Sequence, residues 1–135
     1  MNTSVNLLPG KGMDDLFFGM DETHIEKKLG SPDFKEVFED KEFGKTRVLY
    51  YFDQGLTFYF DEEDDFRLGC LEVDAMAFSL WGENIARISK KKLKKFLSEK
   101  GITEIEEEKD EHQDALVAEV LSATFYSSFG LELLR

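Results

Sequence analysis

Cysteine is almost missing from this 135-residue chain. A single thiol, Cys70, excludes an intrachain disulfide and a zinc site built on several cysteines. One free thiol also agrees with a reducing compartment. Proline is scarce, at two residues, and no Pro/Ser-rich linker divides the chain. No window approaches the roughly 18 apolar residues of a membrane span. The opening MNTSVNLLPGKG has neither a basic start nor the apolar stretch of about 7–15 residues that a secretory signal requires. These absences predict a soluble, cytoplasmic protein with no membrane partner. Basic residues are outnumbered, 17 Lys and Arg against 29 Asp and Glu, for a net charge of −12. Each phosphate contact needs a cation, and a field of this sign repels a polyanion, so nucleic acid is excluded as a partner.

What is present is enough to fold. Hydrophobic residues make up 41% of the chain, and 13 are Phe. Despite 34% charged residues, this argues against disorder. The length suits one domain spanning 1–135.

The chain reads as two copies of one unit, about 10–73 and about 75–135. Asp21 and Ser89 are N-cap residues, each followed by an amphipathic stretch. Met20 with Ile25, and Ile88 with Leu93, stand where a hydrophobic staple places its pair. Ile25 and Leu29 share one helical face, as do Leu93, Phe96 and Leu97. Gly30 before Pro32 ends the first helix, and Gly101 ends the second. Extended segments follow each helix. In the first half Arg47 to Phe52 and Leu56 to Asp61 flank the turn Asp53-Gln54-Gly55. In the second half 115–120 and 122–128 are the counterparts. Thr57-Phe58-Tyr59 recurs as Thr124-Phe125-Tyr126, 67 residues on, close to the 68-residue offset of the helices. Phe34 to Glu39, Phe66 to Val73, Ala75 to Leu80, Ile102 to Glu107 and Leu131 to Leu134 also read as strands. Short connections make neighbouring strands antiparallel. The expected fold is α+β: two helix-plus-antiparallel-strand repeats sharing a sheet, with helices on one face.

Alternation along 56–61 puts Leu56, Phe58 and Phe60 under a helix and turns Thr57, Tyr59 and Asp61 away from it. Tyr51 is expected to join Tyr59 on that uncovered face, with Tyr126 repeating the arrangement. Tyrosine on a solvated sheet face suits protein recognition. Trp81, before Gly82, is a second anchor candidate for such a contact, and is read first as a core residue. Two acidic runs border the face. Asp61, Glu62, Glu63, Asp64 and Asp65 lie between two strands, and Glu106, Glu108, Asp110 and Glu111 belong to a second run over 104–114. Dense carboxylates speed encounter with a cationic protein. The lysines of 90–100 surround a stripe that the sheet needs, so they are read as balancing the acidic loops within the molecule.

Little points to catalysis. His24 reads as a surface helix residue, and His112 stands among acids. Cys70, in Leu68-Gly69-Cys70-Leu71, is expected to be buried and inert. No phosphate-binding glycine loop or nucleophile elbow occurs. Asp61, Glu63, Asp65 and Glu72 fit four positions of a calcium loop, but Phe66 stands where its turn needs Gly. The reading is therefore no enzyme, no cofactor and no metal.

Gly10-Lys11-Gly12-Met13-Asp14-Asp15-Leu16-Phe17-Phe18-Gly19-Met20 resembles the G-x-G-x-L-x-F-G-M lead-in of small bacterial proteins. There it precedes a helix ending in Leu-Gly-x-Pro, as Leu29-Gly30-Ser31-Pro32 does here, and then a hairpin like Tyr50 to Phe60. The pattern resembles the tandem repeat of the beta-lactamase-inhibitor-protein-like fold, and is similar to immunity proteins encoded beside bacterial toxins. The second half lacks Leu-Gly-x-Pro. The resemblance implies a bare sheet face that grips a protein, with Tyr51, Tyr59 and Tyr126 in the contact. The expected function is an immunity protein that occludes the active cleft of a cognate toxin, a basic nuclease above all. The alternative is a non-catalytic scaffold or assembly module binding another protein.

Overall fold

The computed structural model describes residues 5–74, 78–85, 88–109, 114–118, 121–126 and 130–135. Three short strands come first: β1 (Val5–Leu8), β2 (Gly12–Met13) and β3 (Leu16–Phe17). Helix α1 (Glu22–Leu29) follows, then the meander β4 (Phe34–Asp40), β5 (Gly44–Tyr51), β6 (Leu56–Asp61) and β7 (Arg67–Val73). A 3-10 turn, Glu62–Asp64, joins β6 to β7. The second half repeats the order, with β8 (Phe78–Leu80), β9 (Glu83–Asn84), helix α2 (Lys90–Glu99), β10 (Glu106–Lys109), β11 (Asp114–Ala118), β12 (Ala123–Tyr126) and β13 (Gly130–Leu134).

Both helices start as the sequence predicts. The Asp21 side chain accepts from the His24 N–H at 3.0 Å, and Ser89 Oγ accepts from the Lys92 N–H at 3.3 Å. Each cap satisfies a backbone donor that the first turn leaves open. Gly30, at φ 84°, supplies the left-handed residue that stops α1.

The two meanders join through β7 and β13 into one eight-stranded antiparallel sheet, ordered β10-β11-β12-β13-β7-β6-β5-β4. The repeat is visible in register. Thr57 faces Glu72 and Phe58 faces Leu71, as Thr124 faces Glu132 and Phe125 faces Leu131. Both helices cover the same face. Lys35 on β4 and Arg47 on β5 reach Glu26 and Glu22 of α1, at 2.8 and 3.6 Å. Glu107 on β10 is held by Lys90 and Lys94 of α2, so two lysines of this helix are paired within the molecule. Between helices and sheet lies the core: Ile25, Leu93, Phe96 and Leu97 against Leu49, Phe58, Phe60, Leu71, Phe125, Leu131 and Leu133. A small second sheet, β3-β2-β1-β8-β9, holds a parallel pair, β1 with β8. Those strands belong to different halves, so the long intervening chain permits parallel pairing.

Three expectations need correction. Tyr51 does not join the uncovered face; it opposes Leu56 on the core side and is buried. The connection occupies Phe52 to Gly55 rather than Asp53 to Gly55, and one residue of register moves every side chain of the strand to the other face. Trp81 is not a core residue. It is exposed at φ 51°, with its ring 6.1 Å from that of Phe96. Cys70 is only half-buried and lies on the uncovered face, because the register shifts between Tyr59 and Phe60. Gly69 is the extra residue of this bulge, which lets Leu68 and Leu71 both point into the core.

Candidate functional site

The face away from the helices is built by alternate residues of all eight strands. At its centre, where β7 meets β13, Glu132 stands directly opposite Glu72. Thr57 and Thr124 complete this row on either side. Tyr59 and Tyr126 flank it diagonally, one from each repeat. The Tyr59 hydroxyl donates to Glu72 Oε1 at 2.5 Å.

This pairing opposes folding. Like charges facing each other across a ladder destabilise a sheet. Burial, and then the neighbouring Glu72, push the Glu132 carboxyl above its ordinary range. Burial, with Glu72 beyond it, also pushes the Tyr59 phenol up, so it stays a donor at neutral pH. Tyr126 shifts the same way, through burial and then Glu132. The Cys70 thiol, opposite Tyr59 on the neighbouring strand, is pushed up by burial and then by Glu132, Glu72 and Asp61, and remains a neutral thiol. The centre of the face thus offers carboxylate acceptors, the groups that bind an ammonium or guanidinium, with Tyr59 holding one of them in place.

Toward β4 the face turns aromatic. The Phe34 and Tyr50 rings lie 5.8 Å apart, and the Tyr50 and Phe52 rings 5.7 Å apart. The Tyr50 hydroxyl donates to Glu36 Oε1 at 2.7 Å, and burial together with that carboxylate pushes the phenol up to about 12. Beside these rings opens a cavity of about 320 Å³, lined by Tyr50, Phe52, Thr57, Glu72 and Asp74 among others.

The acidic runs divide by role. The Thr46 hydroxyl donates to Asp61 Oδ1 at 2.5 Å, and Glu62 Oε1 accepts from the Lys45 N–H at 2.9 Å. Both carboxylates therefore anchor the start of β5. Glu63, Asp64 and Asp65 are exposed at that end of the sheet. Glu106 and Glu108 oppose Val117 and Ala115, so they sit on the uncovered face of edge strand β10. Tyr126 is also opposite Ala115, two strands or roughly 10 Å away. Asp110 and Glu111, with His112, lie outside the described residues. Glu132 and Tyr50 were not singled out by sequence, and Glu72 was considered only as a position of the rejected calcium loop. Their signal was the alternation continued across β7 and β13 from Thr57 and Thr124. No three His, Cys, Asp or Glu side chains among the described residues stand together as a metal site. No helix among them is long and apolar enough to cross a membrane.

No protein-family model matches the chain, and no curated protein or solved structure matches it.

Proposed function

We propose that this chain is an immunity protein. It binds a cognate toxin across its uncovered sheet face and occludes the toxin's active cleft, without chemistry of its own. One observation carries the reading: among the described residues no helix covers one face of the eight-stranded sheet, and a directly opposed Glu72–Glu132 pair stands at its centre. A fold that needed this face only for solubility has no reason to keep two carboxylates in mutual repulsion. A partner that inserts a cationic side chain between them turns that repulsion into attraction. The chain's charge of −12 favours a basic partner, and a nuclease with a phosphate-binding cleft has the required sign. The lead-in over Gly10 to Met20 and the Leu29-Gly30-Ser31-Pro32 turn, which resemble those of immunity proteins, point the same way.

The test is genetic and biochemical. Deleting the gene should poison the native host in dense culture, and deleting the neighbouring toxin gene as well should restore growth. Wild type should complement the single deletion, while Glu132→Lys should fold and fail. A deletion strain that grows normally beside its parent refutes the toxin reading. The second reading, a scaffold or assembly module, is favoured by the exposed Phe34, Val37 and Phe38 of β4. It predicts a bound partner that is harmless when this chain is removed.

A further inference from the structure

The two edges of the eight-stranded sheet are treated differently. Edge strand β10 reads Glu-Glu-Glu-Lys, and Lys90 and Lys94 of α2 fold down onto its Glu107. Charges of this density keep a free edge from pairing with another chain. The opposite edge, β4, is seven residues long, and its Phe34, Val37 and Phe38 are 51%, 59% and 50% exposed. Phe43, in the turn that follows, is exposed as well. Although the chain carries −12, the hairpin Phe34–Tyr51 holds four basic and four acidic residues and is neutral. β4 itself carries Lys35, Glu36, Glu39 and Asp40, so it is a long edge whose exposed apolar side chains are interspersed with charges of both signs, a template for a strand that matches those charges.

We propose that β4 is a homodimer interface, in which two copies pair β4 against β4, antiparallel, with Val37 on the two-fold axis.

The register follows from the sequence of the strand. Placing the helices of both copies on one side of a joined sheet requires odd residues to face odd residues. Centring on Glu36 sets Glu36 against itself. Centring on Phe38 sets Glu36 against Asp40. Centring on Val37 overlaps the strand over its whole length and sets Lys35 against Glu39 twice; no like charges are directly opposed, and Glu36 meets Glu36 and Asp40 of the other copy only across the wider diagonal. On the uncovered face, Phe38 then lies diagonal to Phe34 and Phe38 of the other copy, within reach of ring contacts. The inference stands apart from the proposed function, since it uses the edge of the sheet rather than its centre.

Sedimentation equilibrium over a range of concentrations tests it. The wild type should dimerise reversibly. Val37→Glu should weaken the dimer at least tenfold, because two carboxylates meet on the axis. This variant suits the monomer, since position 37 opposes Arg47 on β5. Val37→Cys, in a Cys70→Ser background, should oxidise to a covalent dimer, because residues paired on the axis lie within about 5.5 Å. Asp40→Cys in that background should cross-link far more slowly. Lys35→Glu and Glu39→Lys should each weaken association, and the double variant should recover it. A wild type that stays monomeric up to its solubility limit overturns the proposal. So does a Val37→Glu variant that dimerises as well as wild type, or a Val37→Cys variant that cross-links no faster than Asp40→Cys.

Discussion

Glu132→Gln should make the protein more stable at pH 7 and worse at binding its partner. Glu132 opposes Glu72 across the β7–β13 seam, and burial raises the cost of its charge. Replacing one carboxylate with a neutral isostere removes a directly opposed like-charge pair, worth about 0.2–1 kcal/mol. For a chain of this size the gain corresponds to a rise in Tm of roughly 1–5 °C. The sign with pH follows from linkage. The folded-state pKa of Glu132 lies above its unfolded value, so the folded state takes up the proton first as pH falls. Wild-type stability is therefore penalised above the folded pKa and recovers as pH drops through it toward the unfolded value. The advantage of Glu132→Gln should be full at pH 7 and shrink over that window. Urea unfolding of both proteins between pH 4 and 8 reads the difference directly. A Gln variant no more stable than wild type at pH 7, or one whose advantage is the same at every pH, refutes the seam repulsion. The coupled loss of binding is the more telling half. A stabilising change that costs affinity marks a site kept for function at the expense of the fold.

Tyr51→Phe should lower stability by about 0.5–1.5 kcal/mol in denaturant unfolding, since its hydroxyl donates to the Gly30 carbonyl at the end of α1. It should leave partner binding unchanged, because the ring lies on the core face. Lys94 and then Lys90 hold the Glu107 carboxyl down at about 2. Its depressed pKa contributes stability above the unfolded value, lost as pH falls toward about 2. Glu107→Gln should thus be the less stable protein at pH 7 and match wild type near pH 2, as thermal melts at the two pH values would show. Reversing Glu63, Asp64 and Asp65 together should slow association with a basic partner and flatten its salt dependence in stopped-flow mixing. An unchanged rate at low salt would rule out steering by this loop.

Helix caps and the Thr-Phe-Tyr recurrence were legible because each is a local signal with a local cause. They were enough to yield the two repeats and the shared sheet. The faces were harder. Ending the first hairpin strand at Phe52 instead of Tyr51 is an error of one residue, yet it sent Tyr51 to the wrong side and hid Tyr50. The bulge at Gly69 broke the alternation that would otherwise have placed Cys70 in the core. Glu72 and Glu132 are 60 residues apart, and nothing local signals that they meet. Their encounter depends on β7 pairing with β13, a long-range choice that alternation within either strand leaves open. The short lead-in strands β2 and β3, two residues each, carry too little pattern to be read as strands.

The centre of the sheet and its β4 edge have consequences for each other. In the register centred on Val37, both copies keep their helices on one side, so both uncovered faces look the same way. The aromatic corner formed by Phe34, Tyr50 and Phe52 then lies beside the joined edge in each copy. The acidic centres at Glu72 and Glu132 sit three strands and more inward from that edge, each on its own protomer. A dimer built this way leaves both centres open and presents two equivalent partner sites. Val37→Glu should therefore halve the mass of the loaded complex without weakening the contact at either centre. Glu132→Lys should empty both centres without dissociating the dimer. If either substitution moves both properties together, the edge and the face are one interface, and the separation of their roles fails.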